Sequence, residues 1–190
     1  MAKGKISTKN VIFIVIIALM VIPQTRQQIQ IVLHTVIAKL SPSVEKSEDY
    51  KQVSSYNWQL QDIESNSFQL NKTKGKIIFV NMWATWCPPC IAEMPSIQEL
   101  YNDYSDKIEF VIVSNEKQEV VKKFLEKKNY NFKTYTPLSR APETFNVSSI
   151  PRTFLIDNDG NIIIDESGAA NWNSETVRNT IDKLLKDNLL

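Results

Sequence analysis

The sequence predicts an α/β fold with a central mixed sheet and helices on both faces, and three observations support this prediction. First, the apolar run Ile77–Val80 is typical of a buried β-strand, and the residues after it follow a helical period. Second, another apolar run, Ile108–Val113, follows that helix, and two buried strands joined by a helix form a right-handed unit with parallel strands. Third, Thr153–Asp157 and Asn161–Asp165 flank an Asp-Gly turn, which indicates an antiparallel hairpin.

The other elements of this domain, placed at residues 56–190, follow from similar patterns. Within Trp58–Leu70, two short segments alternate apolar and polar residues, which predicts a β-hairpin at the start of the domain. Asn115 is suited to cap the helix after the second buried strand, and Ser174 is suited to cap the last helix. The stretch Asn129–Leu138 fits either a short strand or a loop.

The N-terminus carries the pattern of an export signal. Lys3, Lys5 and Lys9 precede an unbroken apolar run, Val11–Ile22, which ends at Pro23. We interpret residues 1–23 as an uncleaved signal-anchor rather than a cleaved signal, because no small-x-small cleavage site follows the run. The lysines place the N-terminus in the cytoplasm, so the rest of the chain is expected to be exported. The run is shorter than the span of about 20 residues that a bilayer requires.

Residues 24–55 are predicted to join this segment to the domain. Up to Leu40 the apolar residues recur with a helical period, which predicts an amphipathic helix with polar residues on its other side. That helix fits the outer surface of the membrane, an extension of the anchor, or packing on the domain, and the pattern does not choose among them. Ser41–Ser55 is polar and is predicted to be a linker.

The charge of the chain argues against nucleic acid as a partner. The net charge is only +1, and no cluster of basic residues is interleaved with aromatic ones. The charge is unevenly spread, since the part without the three N-terminal lysines has 19 basic and 21 acidic residues.

The only two cysteines, Cys87 and Cys90, stand where the first buried strand gives way to a helix. Pro88 between them suits the first helical turn, where a missing N–H is not needed. Cys87 is therefore expected at the helix N-terminus, where free N–H groups and the helix dipole favour a thiolate. Cys90 lies one turn further on and is expected to be more buried and less reactive. This arrangement predicts a dithiol that closes to a disulfide and opens again.

The cysteine pair allows two other interpretations. A zinc site needs four ligands, and the pair supplies two, while the single histidine, His34, lies far upstream. An inert structural disulfide is the second alternative. We prefer redox chemistry without a metal or another cofactor.

The segment Trp-Ala-Thr-Trp-Cys-Pro-Pro-Cys at residues 83–90 resembles the active site of the thioredoxin superfamily, and most of all its membrane-anchored TlpA/ResA branch. Ile150-Pro151 resembles the cis-proline segment of that superfamily, and Glu93 stands where ResA-like proteins have an active-site glutamate. The resemblance extends from about residue 56 to the C-terminus.

Two further positions bear on this resemblance. Pro95 stands where thioredoxins kink the active-site helix. Asn81 departs from thioredoxins proper, which have a buried aspartate there, whereas the TlpA/ResA branch often has asparagine.

The resemblance implies a thioredoxin fold and a thiol–disulfide oxidoreductase. Cys87 would attack a substrate disulfide, Cys90 would resolve the mixed disulfide, and Glu93 would relay a proton. The expected substrate-binding residues are Trp86, Pro88, Ile150 and Pro151. Trp83 is expected to be a core residue.

The resemblance also implies the setting of the reaction. Relatives of this branch are mostly reductases of disulfides in exported proteins, often in cytochrome c maturation, and take electrons from a membrane thiol carrier. We therefore expect a bacterial protein held at the extracytoplasmic face of the membrane. A disulfide oxidase with the same residues and a non-catalytic, redox-gated binding protein remain alternatives.

Overall fold

Eight strands form one sheet in residues 7–188, the part of the chain that the computed structural model describes. The strands are β1 (Lys51–Gln52), β2 (Gln59–Asp62), β3 (Ser67–Gln69), β4 (Ile78–Trp83), β5 (Glu109–Ser114), β6 (Thr134–Pro137), β7 (Arg152–Ile156) and β8 (Asn161–Ser167). The helices are α1 (Thr8–Val21), α2 (Pro23–Ile37), α3 (Pro88–Tyr104), α4 (Gln118–Lys128) and α5 (Glu175–Asp187).

The sheet is mixed, as predicted. Its strand order is β1-β8-β7-β4-β5-β6-β2-β3. The pairs β4–β5 and β5–β6 are parallel, and β4 pairs antiparallel with β7 on its other side. The predicted Asp-Gly hairpin is β7–β8, and the predicted first hairpin is β2–β3. The thioredoxin-like α/β fold with a mixed sheet is therefore confirmed. The prediction of helices on both faces is wrong for the α-helices of the described residues, because all the residues that α3, α4 and α5 contribute to the two core clusters belong to the cluster on one face.

Strand β4 lies at the centre of the sheet, and all six of its residues are buried. Because side chains alternate along a strand, Phe79 and Trp83 enter the core cluster that includes α3 and α5. Val80 and Met82 enter the cluster on the opposite face. Asn81 shares the period of Phe79 and Trp83, so this polar side chain is buried on the same face as α3.

The stretch that fitted either a strand or a loop contains β6, which pairs with β5 and with β2. Helix α4 begins later than predicted, with Lys117 rather than Asn115 at its N-cap. The cap of α5 is as predicted, since the Ser174 hydroxyl accepts a hydrogen bond from the Val177 N–H at 3.4 Å.

Residues 41–55, which the sequence predicts to be a linker, are attached to the domain by hydrogen bonds. The Glu45 N–H donates to the Ile163 carbonyl at 2.9 Å, and the Val53 N–H donates to the Gly160 carbonyl at 3.0 Å. Strand β1 pairs with β8 between these points. Strand β8 would otherwise leave its backbone groups unpaired at that edge, and a polar segment satisfies them as well as an apolar one does. Hydrophobic patterning therefore gave no signal of this attachment.

The N-terminal segment forms two consecutive helices, of which α2 contacts α3. Helix α1 corresponds to the predicted anchor and has 14 residues. Within residues 7–188, no helix combines the length and the apolar character needed to cross a membrane, so the predicted span gains no support from the fold. The lysines at positions 3 and 5 lie outside the described residues.

Amide hydrogen exchange on the folded chain tests the attachment of residues 41–55. We expect the Glu45 and Val53 amides to exchange at least about tenfold more slowly than in an unstructured peptide, because each donates to a backbone carbonyl of the domain. A mobile linker would instead give unprotected exchange throughout the segment. Exchange of the Glu45 and Val53 amides as fast as in the isolated peptide would contradict the structure.

Candidate active site

The loop between β4 and α3 places both cysteines at the start of the active-site helix. Cys87 is the N-cap residue of α3, and its sulfur accepts the Cys90 N–H at 3.3 Å. Pro88 and Pro89 fill the first two helical positions, where their missing N–H groups leave no intrahelical hydrogen bond unmade. The predicted strand–cysteine pair–helix arrangement is therefore present.

Cys87 and Cys90 are joined by a disulfide, so the structure represents the oxidised state. Cys90 is fully buried, as predicted, but Cys87 is also only 3% exposed. The two cysteines therefore differ little in burial in this state. The reason is that the loop folds against the segment before β7, where the Ile150 carbonyl oxygen lies 3.8 Å from the Cys87 sulfur.

Ile150 and Pro151 lie beside the disulfide although 63 residues separate Ile150 from Cys87 in the chain. The Ile150–Pro151 peptide bond is cis, as the resemblance implied. Pro151 is buried, whereas Ile150 is half-buried and borders the neighbouring groove. The pairing of β4 with β7 brings this segment to the cysteines, because β7 runs antiparallel to β4 and begins at the edge of the sheet where β4 ends.

A groove of about 460 Å³ lies next to the cysteine loop. Trp86 borders it with 64% of its side chain exposed, while Trp83 is 2% exposed and belongs to the core. Arg140, Val147 and Ile150 also line this groove. Trp86 and Ile150 therefore both border a groove beside the disulfide, and their part in substrate binding stays a prediction.

Glu93 is a fully buried carboxyl group on α3, one helical turn after Cys90. It accepts hydrogen bonds from Asn81 Nδ2 at 2.8 Å, Trp172 Nε1 at 2.9 Å and the Ala170 N–H at 3.4 Å. Burial raises the pKa of Glu93 to about 8, although the three hydrogen bonds oppose this increase. A carboxyl group that titrates near neutral pH can exchange protons with a thiol, whose ordinary pKa is about 8.5.

Asn81 connects this carboxyl group to strand β7. Its amide nitrogen also donates to Thr153 Oγ1 at 2.7 Å. Its amide oxygen, Oδ1, has no hydrogen-bond partner among the described residues. Trp172 is held in turn by its edge-to-face contact with Phe79, with ring centroids 5.2 Å apart. Residues from four segments therefore fix the environment of Glu93.

Glu116 holds the cysteine loop from the other side. Its carboxylate accepts the Thr85 N–H at 2.6 Å and the Thr85 hydroxyl at 2.7 Å. It also accepts the Ser114 hydroxyl at 3.2 Å. Because Thr85 is two residues before Cys87, this carboxylate fixes the conformation of the loop that carries the reactive sulfur.

Sequence reasoning missed three of these residues: Glu116, Thr153 and Trp172. Each follows the cysteine motif by at least 26 residues and reaches the site only through the sheet order and the docking of the loop before α5. The one available signal was Glu93 itself, since a carboxyl group predicted on a buried helical face requires hydrogen-bond donors. That signal does not say which residues supply them.

Known proteins share this fold and these sequence features. Thiol-disulfide oxidoreductase ResA of Bacillus cereus is 36% identical over 112 residues, which are 56% of this chain and 64% of the relative. Thioredoxin-like protein YneN of Bacillus subtilis is 34% identical over 108 residues, 55% of this chain and 64% of the relative. The alignments thus span less than two thirds of these relatives.

A solved structure and a family model extend the comparison. The thioredoxin domain of a thiol-disulfide oxidoreductase from Bacteroides vulgatus is 25% identical, with a TM-score of 0.56 over 71% of this chain and 99% of that domain. The family model described as Redoxin matches residues 40–184, which include the cysteines, Glu93 and Pro151. The chain therefore belongs to the Redoxin family.

Proposed function

We propose that this protein is a thiol–disulfide oxidoreductase that reduces disulfides in exported proteins through Cys87 and Cys90. The observation that carries the proposal is the disulfide at the N-terminus of α3, one turn before a buried carboxyl group with a pKa raised to about 8. The names of the ResA relatives support the same class of reaction.

The first step of the proposed reaction is the attack of the Cys87 thiolate on a substrate disulfide. A sulfur–sulfur bond forms between Cys87 and one substrate sulfur, while the other substrate sulfur leaves as a thiolate and takes a proton from water. The N-terminus of α3 favours the Cys87 thiolate, because the helix dipole is positive there. Trp86 and Ile150 supply the apolar surface on which the substrate chain rests.

The second step releases the reduced substrate. Glu93, in its ionised form, accepts the proton of the Cys90 thiol, and the Cys90 thiolate then attacks the Cys87 sulfur. The second substrate sulfur leaves, and the enzyme ends with the Cys87–Cys90 disulfide that the structure contains. The two electrons gained by the substrate come from the dithiol, so a thiol donor must reduce the enzyme again.

The setting of the reaction is part of the proposal. We place the protein at the extracytoplasmic face of a bacterial membrane, with a membrane thiol carrier as electron donor. The support is the basic, apolar N-terminus together with the resemblance to the TlpA/ResA branch. Cytochrome c maturation is the process in which that branch often acts, and disulfides of apocytochromes are the proposed substrate class.

Reduction of insulin by the full chain with dithiothreitol as donor tests the reaction itself. We expect catalytic turnover by the native protein and its loss in both Cys87→Ser and Cys90→Ser. In a separate reaction without dithiothreitol, the reduced Cys90→Ser variant should accumulate a mixed disulfide with insulin, because Cys87 still attacks but no thiol resolves the complex. Cys87→Ser is the matched control and should trap none. Trapping by Cys87→Ser alone would reverse the two roles, and absence of turnover would favour a redox-gated binding protein.

Measurement of the reduction potential of the Cys87–Cys90 pair then decides between reductase and oxidase, which use the same residues. A potential near that of thioredoxin, about −270 mV, fits the proposed reductase. A potential near that of a strong oxidase, about −120 mV, would overturn that direction.

Replacement of Glu93 by glutamine tests the buried carboxyl group. Between the ordinary glutamate pKa and the folded value of about 8, the folded state keeps a proton that the unfolded state has released. The stability of the native protein should therefore fall as pH rises through this range, by on the order of a few kcal/mol, and Glu93→Gln should lack this dependence.

The same variant should slow exchange by roughly 10- to 100-fold above pH 8, because no carboxylate accepts the Cys90 proton. Stopped-flow kinetics and urea unfolding across pH 5–9 measure the two effects. Glu119→Gln, at an exposed position of α4, is the control and should match the native protein. Identical pH profiles in all three proteins would leave Glu93 a purely structural residue.

Membrane attachment is tested by a carbonate wash of membranes that contain the full chain. We expect the protein to stay in the membrane fraction with its N-terminal segment uncleaved, because the apolar residues from Val11 to Ile22 follow three lysines. Intact-mass measurement checks the N-terminus directly. A mature protein that begins near residue 24 and washes off would show a cleaved signal.

A further inference from the structure

The apolar side of α2 faces away from the domain. Four residues of the helix, and Leu40 three positions beyond its end, define this outer stripe and are between 38% and 67% exposed: Ile29, Val32, Leu33, Val36 and Leu40. The opposite side of the helix is half-buried or buried and consists of Gln27, Gln30, Ile31, His34 and Ala38. Helix α2 therefore packs on the domain through its more polar side, which is the reverse of what burial of apolar surface would produce.

The partner of α2 is the active-site helix. Helices α2 and α3 are in contact, and Ile91 and Ala92 of α3 are buried although they belong to neither core cluster. These two residues directly follow Cys90 in the chain. Helix α2 therefore lies against the helix that begins at the disulfide.

The end of α2 is tied to the domain by backbone hydrogen bonds. The Leu40 carbonyl accepts the Asn171 N–H at 2.7 Å, and the Ser43 N–H donates to Glu166 at 3.3 Å. Asn171 stands between Ala170 and Trp172, the two residues that hydrogen-bond to Glu93. The orientation of the outer stripe is therefore fixed relative to the active site.

The charge of the N-terminal segment indicates what covers the stripe. Residues 1–44 contain five basic residues and no acidic one, while the remaining chain has 17 basic and 21 acidic residues. A second copy of the same surface would repel this positive charge. An anionic lipid surface attracts it and accepts apolar side chains at the same time. The exposed apolar residues of α1, among them Phe13 and Ile17, lead into α2 and extend the same kind of surface.

We propose that the outer stripe lies in the headgroup region of an anionic membrane, and that α2 holds the domain there in one orientation. The active-site helix then sits directly behind a membrane-bound helix. The Cys87–Cys90 site is thereby directed toward disulfides presented close to the membrane surface rather than toward any disulfide within reach of a tether. The direction of the active site toward disulfides near the membrane rests on the proposed oxidoreductase function, whereas the placement of α2 in the membrane does not.

Photo-crosslinking of the full chain in vesicles of phosphatidylglycerol and phosphatidylethanolamine tests the placement of α2. A benzophenone side chain replaces Val36 in the outer stripe or, as matched control, Ile31 on the domain side. We expect the label at position 36 to react with lipid and the label at position 31 to react with α3 of the same chain, as identified by mass spectrometry. Lipid adducts from position 31, or protein–protein adducts from position 36, would overturn the proposed placement.

A kinetic comparison tests the orientation. A disulfide peptide is offered either free in solution or tethered to the vesicle lipid, and Val36→Glu is compared with Gln28→Glu, an exposed position outside the stripe. Val36→Glu should reduce the tethered peptide at least about tenfold more slowly and leave the rate with the free peptide unchanged, while Gln28→Glu changes neither. Equal effects on both peptides, or none, would overturn the proposed orientation. Failure of the native protein to reduce the free peptide would instead reject the proposed function and leave the crosslinking result intact.

Discussion

The burial of one carboxyl group constrains the whole active site. An acid removed from water must be protonated or surrounded by donors, and Glu93 has three donors that come from β4 and from the loop before α5. Each donor needs its own support: Asn81 needs the centre of the sheet, and Trp172 needs Phe79 beneath it. Loss of these hydrogen bonds would therefore disturb the packing of the core as well as the protonation of Glu93.

The sheet order explains why the reacting groups meet. Strand β4 is flanked by β5 and β7, so the loop that follows β4 lies between the loop after β5 and the segment before β7. The first supplies Glu116, which fixes Thr85, and the second supplies the Ile150 carbonyl beside the Cys87 sulfur. The cysteine loop is thus held from both sides by strands that are remote in sequence.

The sequence was most informative where one stretch of chain contains the whole signal. The cysteine pair, the two buried strands around α3 and the Asp-Gly hairpin were correctly predicted because periodicity and turn chemistry are local. The attachment of residues 41–55 was not, because backbone hydrogen bonds to an edge strand leave no hydrophobic pattern. The hydrogen-bond partners of Glu93 could not be predicted either, because a buried carboxyl group requires donors but its position in the sequence does not identify them.

Helix α2 shows a different limit of periodicity. The apolar stripe was correctly identified as one face of a helix up to Ile37, where α2 ends, but a period does not say toward what that face points. Burial of the opposite face, with Gln30 and His34, depends on the position of α3 and on the hydrogen bond between Asn171 and Leu40. Tertiary contacts, rather than the amphipathic pattern, set the orientation.

The amide of Asn81 has a consequence for how the site handles a proton. An amide offers a donor at one end and an acceptor at the other, and a half-turn of the group exchanges them. In the structure the donor end meets Glu93 and Thr153, which suits an ionised carboxylate. After a half-turn, the acceptor end would meet a protonated carboxyl group, and the Thr153 hydroxyl, which is both donor and acceptor, would reverse its own bond. An aspartate at this position would place a second acid beside Glu93. Asparagine can instead hydrogen-bond to Glu93 in either protonation state by rotation of its own side chain, without movement of the backbone.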